Sequence, residues 1–469
     1  MSKKLVLPRR QVLKGLGAGA ATGLFGCGTD PELVSHPTGS TPSVIDPGQI
    51  DTVVICMMEN RSFDHVFGGY TLQEGRTDID GPWPGLTNPD LDGNPVGMHP
   101  DEWRCIHPDP PHGWSTSRTQ LADGRCDGFV RALQESRGAS SDGRIAMSWQ
   151  SRAQQPITYA LADHYALCQR WYSSLLTSTW PNRLYFHAAT SQGIPDNRLP
   201  TGGFYTARTL WDQLSEAGID WGYYFTDLPT LGLWANADWQ DRLATMNDFY
   251  EDAAAGALPQ VVCVDPGAAF NDDHPPHHPM LGQLYIASIY EALASSPHWD
   301  RCLFVLTYDE AGGFHDHVAP PTMADDHAAD GFDQLGFRVP GLVMGPWVQP
   351  QVSDMQLEHS AALTFVQNWF GIEERLTARN AASNDLTKLL DTASLAQNAP
   401  RRPIQLPPIA LSEEEIATQC ASLGTRTGQP ELREVIQAST PWLDRTGDMP
   451  DIARSFFRRT ADQGLWVPT

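Results

Sequence analysis

Five continuous apolar runs of five to seven residues punctuate this chain, at 52–58, 221–225, 260–264, 302–307 and 339–344. Apolar runs of that length without alternation are what strands covered on both faces require. Between them, apolar residues recur at helical spacing at 207–217, 281–294 and 359–370. Buried strands alternating with helices imply an α/β fold, a mostly parallel sheet with helices on both faces. Sheets of this kind bind ligands beyond the carboxyl ends of their strands, so the residues following each run are where chemistry is expected.

Those positions are polar. Glu59 and Asn60 follow the first run, Asp265 the third, and Asp309 and Glu310 the fourth. A carboxylate beside an amide oxygen offers two ligands to a hard divalent cation, or else forms a helix cap with a solvated Glu. The stretch 307–317 gathers Asp309, Glu310, a Gly-Gly turn, His315 and His317, a density of ligands that a structural role alone does not explain. Thr177, Ser178 and Thr179 place hydroxyls ahead of a helical segment. A hydroxyl becomes a nucleophile at neutral pH only with a base or a metal beside it, and the chain has no Gly-x-Ser-x-Gly elbow, so metal activation is the better reading, with simple helix capping as the alternative. Histidines beside prolines, at His107, His112, His274, His277 and His278, and His359 at a helix start, are candidates for ligands or proton donors.

The flanks differ from this body. Residues 1–27 carry Lys3, Lys4, Arg9, Arg10 and Lys14 with no acid, then a small, apolar stretch, which is the pattern of an export signal. The segment 8–14 resembles a twin-arginine signal and 24–27 a bacterial lipobox, with Cys27 as the lipidated residue; the alternative is ordinary cleavage near Ala20 or Ala21. Removing residues 1–26 leaves 27 of the 32 basic residues against 56 acids. So acidic a chain is repelled by phosphate backbones and anionic lipid, which excludes a nucleic-acid partner and leaves a lipid anchor as the only route to a membrane. Residues 28–50 read as a flexible spacer, 51–400 as the catalytic domain with an insertion at about 65–150 that walls the pocket, and 401–469 as a tail packed on the body, with helices at 412–423 and 431–437. Cys105 and Cys126 are positioned to pair in an oxidising compartment, whereas Cys56, Cys263 and Cys302 read as core residues.

Taken together, the Glu-Asn-Arg-Ser-Phe-Asp-His block at 59–65 with Phe67-Gly68, Thr-x-Pro-Asn-Arg at 179–183, His274-Pro275-Pro276, Tyr-Asp-Glu-x-Gly-Gly-Phe-x-Asp-His-Val at 308–318 and Gly-Phe-Arg-Val-Pro at 336–340 resemble the bacterial phosphoesterase family of phospholipases C and related acid phosphatases. The resemblance spans about 50–372 and implies a three-layer α/β/α sandwich of the alkaline-phosphatase-like kind. It makes Thr179 the nucleophile and Glu59, Asn60, Asp309, Glu310 and the Thr179 oxygen the ligands of one divalent metal ion: Ca, Mg, Mn or Zn. It sets His112, His274 and His317 around the phosphate as catalytic residues, and Asn182, His278 and His359 as substrate contacts. Ser178 stands where the family commonly shows Gly-Pro, which makes it the rival nucleophile. The tail shows no counterpart of the C-terminal β modules of the larger phospholipases C. The expected activity is therefore phospholipase C cleavage of a phosphodiester, with monoester hydrolysis by an acid phosphatase as the alternative, and ligand binding by a non-catalytic surface lipoprotein as a reading of another class. Trp83, Trp103, Trp114 and Trp149 in the insertion are candidates for cation–π contact with a choline-type head group.

Overall fold

The computed structural model describes residues 47–468 except 103, 104, 107, 108, 269, 413 and 416–448. The export signal, Cys27, most of the spacer, Trp103, His107 and most of the two tail helices expected at 412–423 and 431–437 lie outside the described residues.

Eight strands form one sheet, in the spatial order Gln351–Ser353, Ala166–Cys168, Gly341–Met344, Cys302–Tyr308, Thr52–Met58, Val261–Asp265, Trp221–Phe225 and Leu243–Thr245. Thr52–Met58 runs parallel to both neighbours, with Val53 opposite Leu303 on one side and Val261 on the other. All seven of its residues are buried, as continuous apolar runs demand. Gly341–Met344 is antiparallel to both of its neighbours, so the sheet is mixed at that side. The five expected runs all become strands, 52–58 and 221–225 with unchanged ends and the other three with ends moved by one or two residues. Ala166–Cys168, Leu243–Thr245 and Gln351–Ser353 had no counterpart in the pattern, because three residues are too few to display a period.

Helices cover both faces of the sheet. Pro279–Ala294 and Ser360–Trp369 match the periodic segments, and the expected 207–217 begins at Leu210, where Thr209 and Asp212 close a reciprocal capping box. The irregular insertion starts later than expected. Helix Phe63–Leu72 buries Phe63, Val66, Phe67 and Tyr70 and belongs to the main core. The insertion proper carries a short hairpin, Thr87–Pro89 with Pro95–Gly97, and helices Trp114–Leu121 and Phe129–Arg137. It has its own core, in which Ile106, Phe129 and Leu133 pack with Phe314 and Phe337 of the main domain. Cys126 is a free, buried thiol, so the expected bridge to Cys105 is not formed. In the tail, Ile409–Ala410 pairs with Trp466–Val467, and helix Met449–Asp462 sets Phe456 edge-on to Phe270.

Candidate active site

Beyond the carboxyl end of Thr52–Met58 the chain turns through Asn60, whose φ of 61° lies in the left-handed region that asparagine tolerates better than most residues. The turn directs the Asn60 backbone N–H to Asp309 Oδ1 at 2.9 Å. Asp309 and Glu310 reach this point because Cys302–Tyr308 pairs in register with Thr52–Met58. Asp309 Oδ1 also accepts from Glu310 N at 2.7 Å, and Glu310 Oε2 accepts from Gly312 N at 2.6 Å. Each carboxylate thus has one oxygen fixed by backbone amides. The Gly-Gly turn is a steric requirement: Gly312 has a φ of 61°, and a Cβ there would lie 2.2 Å from the Asn60 carbonyl oxygen.

Thr179 opens helix Thr179–Ala188, with Ser178 as its N-cap. The Ser178 hydroxyl donates to Asn197 Oδ1 at 3.0 Å, and the same oxygen accepts from Trp180 N at 2.8 Å. Asn197 therefore caps the helix from a separate loop, a role that no local pattern signals. The Thr179 hydroxyl instead faces Asp309, whose carboxylate it helps to hold ionised, without closing a full hydrogen bond. One turn further on, Arg183 pairs with Glu59 at 2.9 Å and with Asp265 at 2.9 Å, and donates to the Met57 carbonyl at 3.2 Å. Asp265 is used up in holding this arginine, since Tyr223 and Thr230 occupy its other oxygen.

Four buried oxygens at this junction have no hydrogen-bond partner: Asn60 Oδ1, Thr179 Oγ1, Asp309 Oδ2 and Glu310 Oε1. Buried polar atoms are almost always satisfied, and four unsatisfied oxygens of these types are the donor set of a hard cation. Their chemistry suits a divalent ion. Glu59 is the exception among the expected ligands, because its Oε1 is taken by Arg183. Burial pushes Glu59, Asp309 and Glu310 above the usual carboxylate range; Arg183 draws the first two back, and Asp309 raises Glu310 further. Without a cation this cluster is electrostatically unfavourable.

The histidines divide. His112 is beside the cluster, with Nε2 at 3.3 Å from Asn60 Nδ2 and 3.8 Å from Glu310 Oε1. His274 lies against it, ring centroids 6.0 Å apart, and Asp109, which the sequence reading did not single out, completes a group whose donor atoms lie within 4.8 Å of one another. His317 is elsewhere, contrary to expectation. Both its nitrogens face carboxylates, Nδ1 to Asp64 at 2.7 Å and Nε2 to Asp80 at 3.1 Å, in a buried network with Arg338, which holds Asp64 and Asp316 at 2.8 Å each. Burial lowers the His317 pKa, but Asp64 overrides that and raises it to about 9, so the ring is held as an ion-pair member of this network.

The three expected substrate contacts each have partners within the protein. Asn182 is fully buried and spends its amide on the loop before Thr179: Oδ1 accepts from Leu175 N at 2.8 Å, and Nδ2 donates to Thr177 O and Ser178 O at 3.1 Å. His359 donates from Nε2 to the Asp309 carbonyl at 2.7 Å, and burial drops its pKa to about 3. It is a neutral prop behind the carboxylate. His278 caps helix Pro279–Ala294 through Met280 N and lines a different cavity of about 340 Å³ with Asp101, Gln154 and Leu411.

A model of the Phosphoesterase family matches residues 50–373 of the chain. Non-specific phospholipase C3 of Arabidopsis thaliana is 30% identical over 425 residues, covering 79% of this chain and 78% of that protein. Phospholipase C B of Mycobacterium tuberculosis is 29% identical over 455 residues, covering 83% and 86%. Hemolytic phospholipase C of Pseudomonas aeruginosa is 28% identical over 477 residues, covering 83% of this chain and 63% of that protein. Among solved structures, a protein in the alkaline phosphatase superfamily from Vibrio parahaemolyticus aligns with 51% of this chain and 65% of its own at 14% identity, with a TM-score of 0.33.

Proposed function

The chain belongs to the Phosphoesterase family and is a hydrolase of phosphoester bonds, and on that basis we propose that it is a metal-dependent, phospholipase C-type enzyme cleaving a phosphodiester through a phospho-threonine on Thr179. The observation that carries this reading is the set of four unpartnered oxygens, with the Thr179 hydroxyl among them. Asn60, Thr179, Asp309 and Glu310 would hold the divalent ion, with Glu59 beside them in its ion pair with Arg183. Such an ion, when bound, supplies a lowered pKa for the hydroxyl and charge neutralisation for the phosphoryl group.

The chain's own groups do the rest. Asn182 and Asn197 hold the turn that presents Thr179, and the N-terminus of Thr179–Ala188 sets partial positive charge where a phosphoryl oxygen would sit. The Thr179 hydroxyl gives its proton to solvent and its oxygen attacks phosphorus in line; the bond to the leaving alcohol breaks and that alcohol departs with a proton from solvent. Water then cleaves the phospho-threonine, returning the hydroxyl and releasing the phosphorylated head group. Phospholipase C relatives at about 30% identity support a diester as substrate. The test is hydrolysis of a chromogenic phosphocholine diester against the matching monoester, before and after dialysis against a strong chelator. Diester turnover that is lost on dialysis and restored by added metal supports the proposal. Faster monoester turnover would make the chain an acid phosphatase, full activity in protein free of metal would remove the mechanism, and no turnover of either ester would favour a binding protein.

The proposal extends to location. Arg9-Arg10 and Cys27 support twin-arginine export followed by lipid anchoring in the cell envelope.

A further inference from the structure

We propose that the buried Glu358–Arg379 pair is a positioning unit that fixes the Thr179 hydroxyl against the Asp309 carboxylate, acting through Ser174 on one side and His359 on the other. Its consequence for turnover rests on the phosphoester reading; its geometry does not. Beyond the paired strands Ala166–Cys168 and Gln351–Ser353 the two segments stay side by side, with Trp171 bridged to Leu357 and Tyr172 N donating to Leu357 O at 2.9 Å. One segment then leads to Thr179, and the other starts helix Ser360–Trp369. Where they part, the Ser174 hydroxyl donates to Glu358 Oε2 at 2.6 Å, and Ser360 N donates to Glu358 Oε1 at 3.1 Å. The next residue, His359, donates to the Asp309 carbonyl at 2.7 Å. Trp171 Nε1, which can only donate, faces His359 Nδ1 at 3.5 Å and so leaves the ring proton on Nε2. Two adjacent residues thus hold the hydroxyl loop and the cation-binding carboxylate.

Arg379 holds the chain on both sides of Thr179. Its Nη1 donates to Ser174 O at 2.7 Å and lies 3.9 Å from Glu358 Oε2. Its Nη2 pairs at 3.2 Å with Asp325, the carboxylate that accepts from the hydroxyl of Tyr185 in helix Thr179–Ala188 at 2.6 Å. Bonds to Ala324 O at 3.0 Å and Phe332 O at 2.7 Å complete its fork. Ser174, Glu358, His359 and Arg379 are each 1% exposed or less, so water does not compete for these contacts. A buried ion pair adds little net stability over an apolar pair of the same volume. What it provides here is a fixed geometry between segments far apart in the chain.

Ser174→Ala removes the bond to Glu358 and keeps the backbone contact to Arg379; His359→Phe removes the donor to Asp309 and keeps a ring. In full-length protein acting on a soluble chromogenic phosphodiester, each should lose kcat by about tenfold or more with KM within about threefold of wild type. The double variant should lose no more than about threefold beyond the worse single, since both interrupt one chain of contacts, whereas unrelated defects multiply. Gln213→Ala breaks buried bonds to Gln367 and Glu374 O instead, and should leave kcat within about threefold, which separates positioning from lost stability. Mn(II) binding, read by electron paramagnetic resonance, needs no turnover. Ser174→Ala should weaken it about tenfold in wild type and no further in Thr179→Ala protein, because the tie acts through Thr179. Glu358→Gln, of the same size, replaces Ser174→Ala with the same expected losses if the latter fails to fold by circular dichroism. Unchanged kcat in the single variants, a fully multiplicative double variant, or equal Mn(II) losses with and without Thr179 overturns the positioning unit. The expected Mn(II) pattern in a protein that hydrolyses no phosphoester would uphold the unit and sink the enzymatic reading; hydrolysis with kcat unchanged in the variants would do the reverse.

Discussion

Asn182 separates a residue that touches substrate from one that builds the site. In the structure its side chain accepts from Leu175 N and donates to Leu175 O, Thr177 O and Ser178 O, all within a fully buried loop. Asn182→Ala leaves the Leu175 amide buried without a partner, which costs about 1–3 kcal/mol, and removes two N–H donors, shared among three carbonyls, worth about 0.5–1.5 kcal/mol each. Carbonyls keep some alternatives, so the expected loss is roughly 3–5 kcal/mol, a large part of a typical domain's stability of about 5–15 kcal/mol. The loop also aims Thr179, so the variant should lose kcat by about 10²-fold or more with a smaller change in KM, since a displacement of ~1 Å is enough for that. Chemical denaturation, with steady-state kinetics on a soluble phosphodiester, measures both. A variant within 0.5 kcal/mol of wild type (roughly the scatter of neutral surface changes) whose defect is confined to KM would refute the reasoning and restore Asn182 as a substrate contact.

Three further outcomes are expected. Thr179→Ala should abolish turnover while Ser178→Ala, which removes only the bond to Asn197, stays within about tenfold of wild type, as one neutral hydrogen bond of about 1 kcal/mol allows; the opposite pattern, read by kcat, would move the nucleophile to Ser178. The His317 pKa is raised to about 9 by Asp64, so its stabilising contribution is complete below about pH 6.5 and is lost as pH rises through 9, on the order of 3 kcal/mol in all; His317→Gln should flatten the stability profile between pH 7 and 10, and an unchanged slope would remove His317 from the network. Cys27→Ser should shift the protein from the membrane to the soluble fraction, and Arg9→Lys with Arg10→Lys should leave precursor in the cytoplasm; mass spectrometry showing an unmodified Cys27 in the mature wild-type protein would end the lipoprotein proposal.

Much of the architecture was legible from composition along the chain. Strands buried on both faces cannot tolerate polar residues, so Thr52–Met58 and Cys302–Tyr308 announce themselves as apolar runs, and Asn60, Asp309 and Glu310 are marked as site residues simply by following them. The Gly-Gly turn was legible for the same kind of reason: only glycine tolerates the approach of the Asn60 carbonyl. What the linear pattern could not contain was the direction in which each polar side chain points. His112, His317 and His359 look alike as residues in ligand-rich segments, yet one faces Asn60 and Glu310, one is enclosed by two carboxylates, and one props the Asp309 peptide from behind. Asn182 and Asn197 differ in the same way, since their partners lie up to 19 residues away along the chain. A hydrogen bond depends on distances of about 3 Å and on angle, and between segments far apart in sequence those quantities exist only once the sheet has brought the strand ends together. Pattern names the atoms available for chemistry; packing decides which of them remain without a partner.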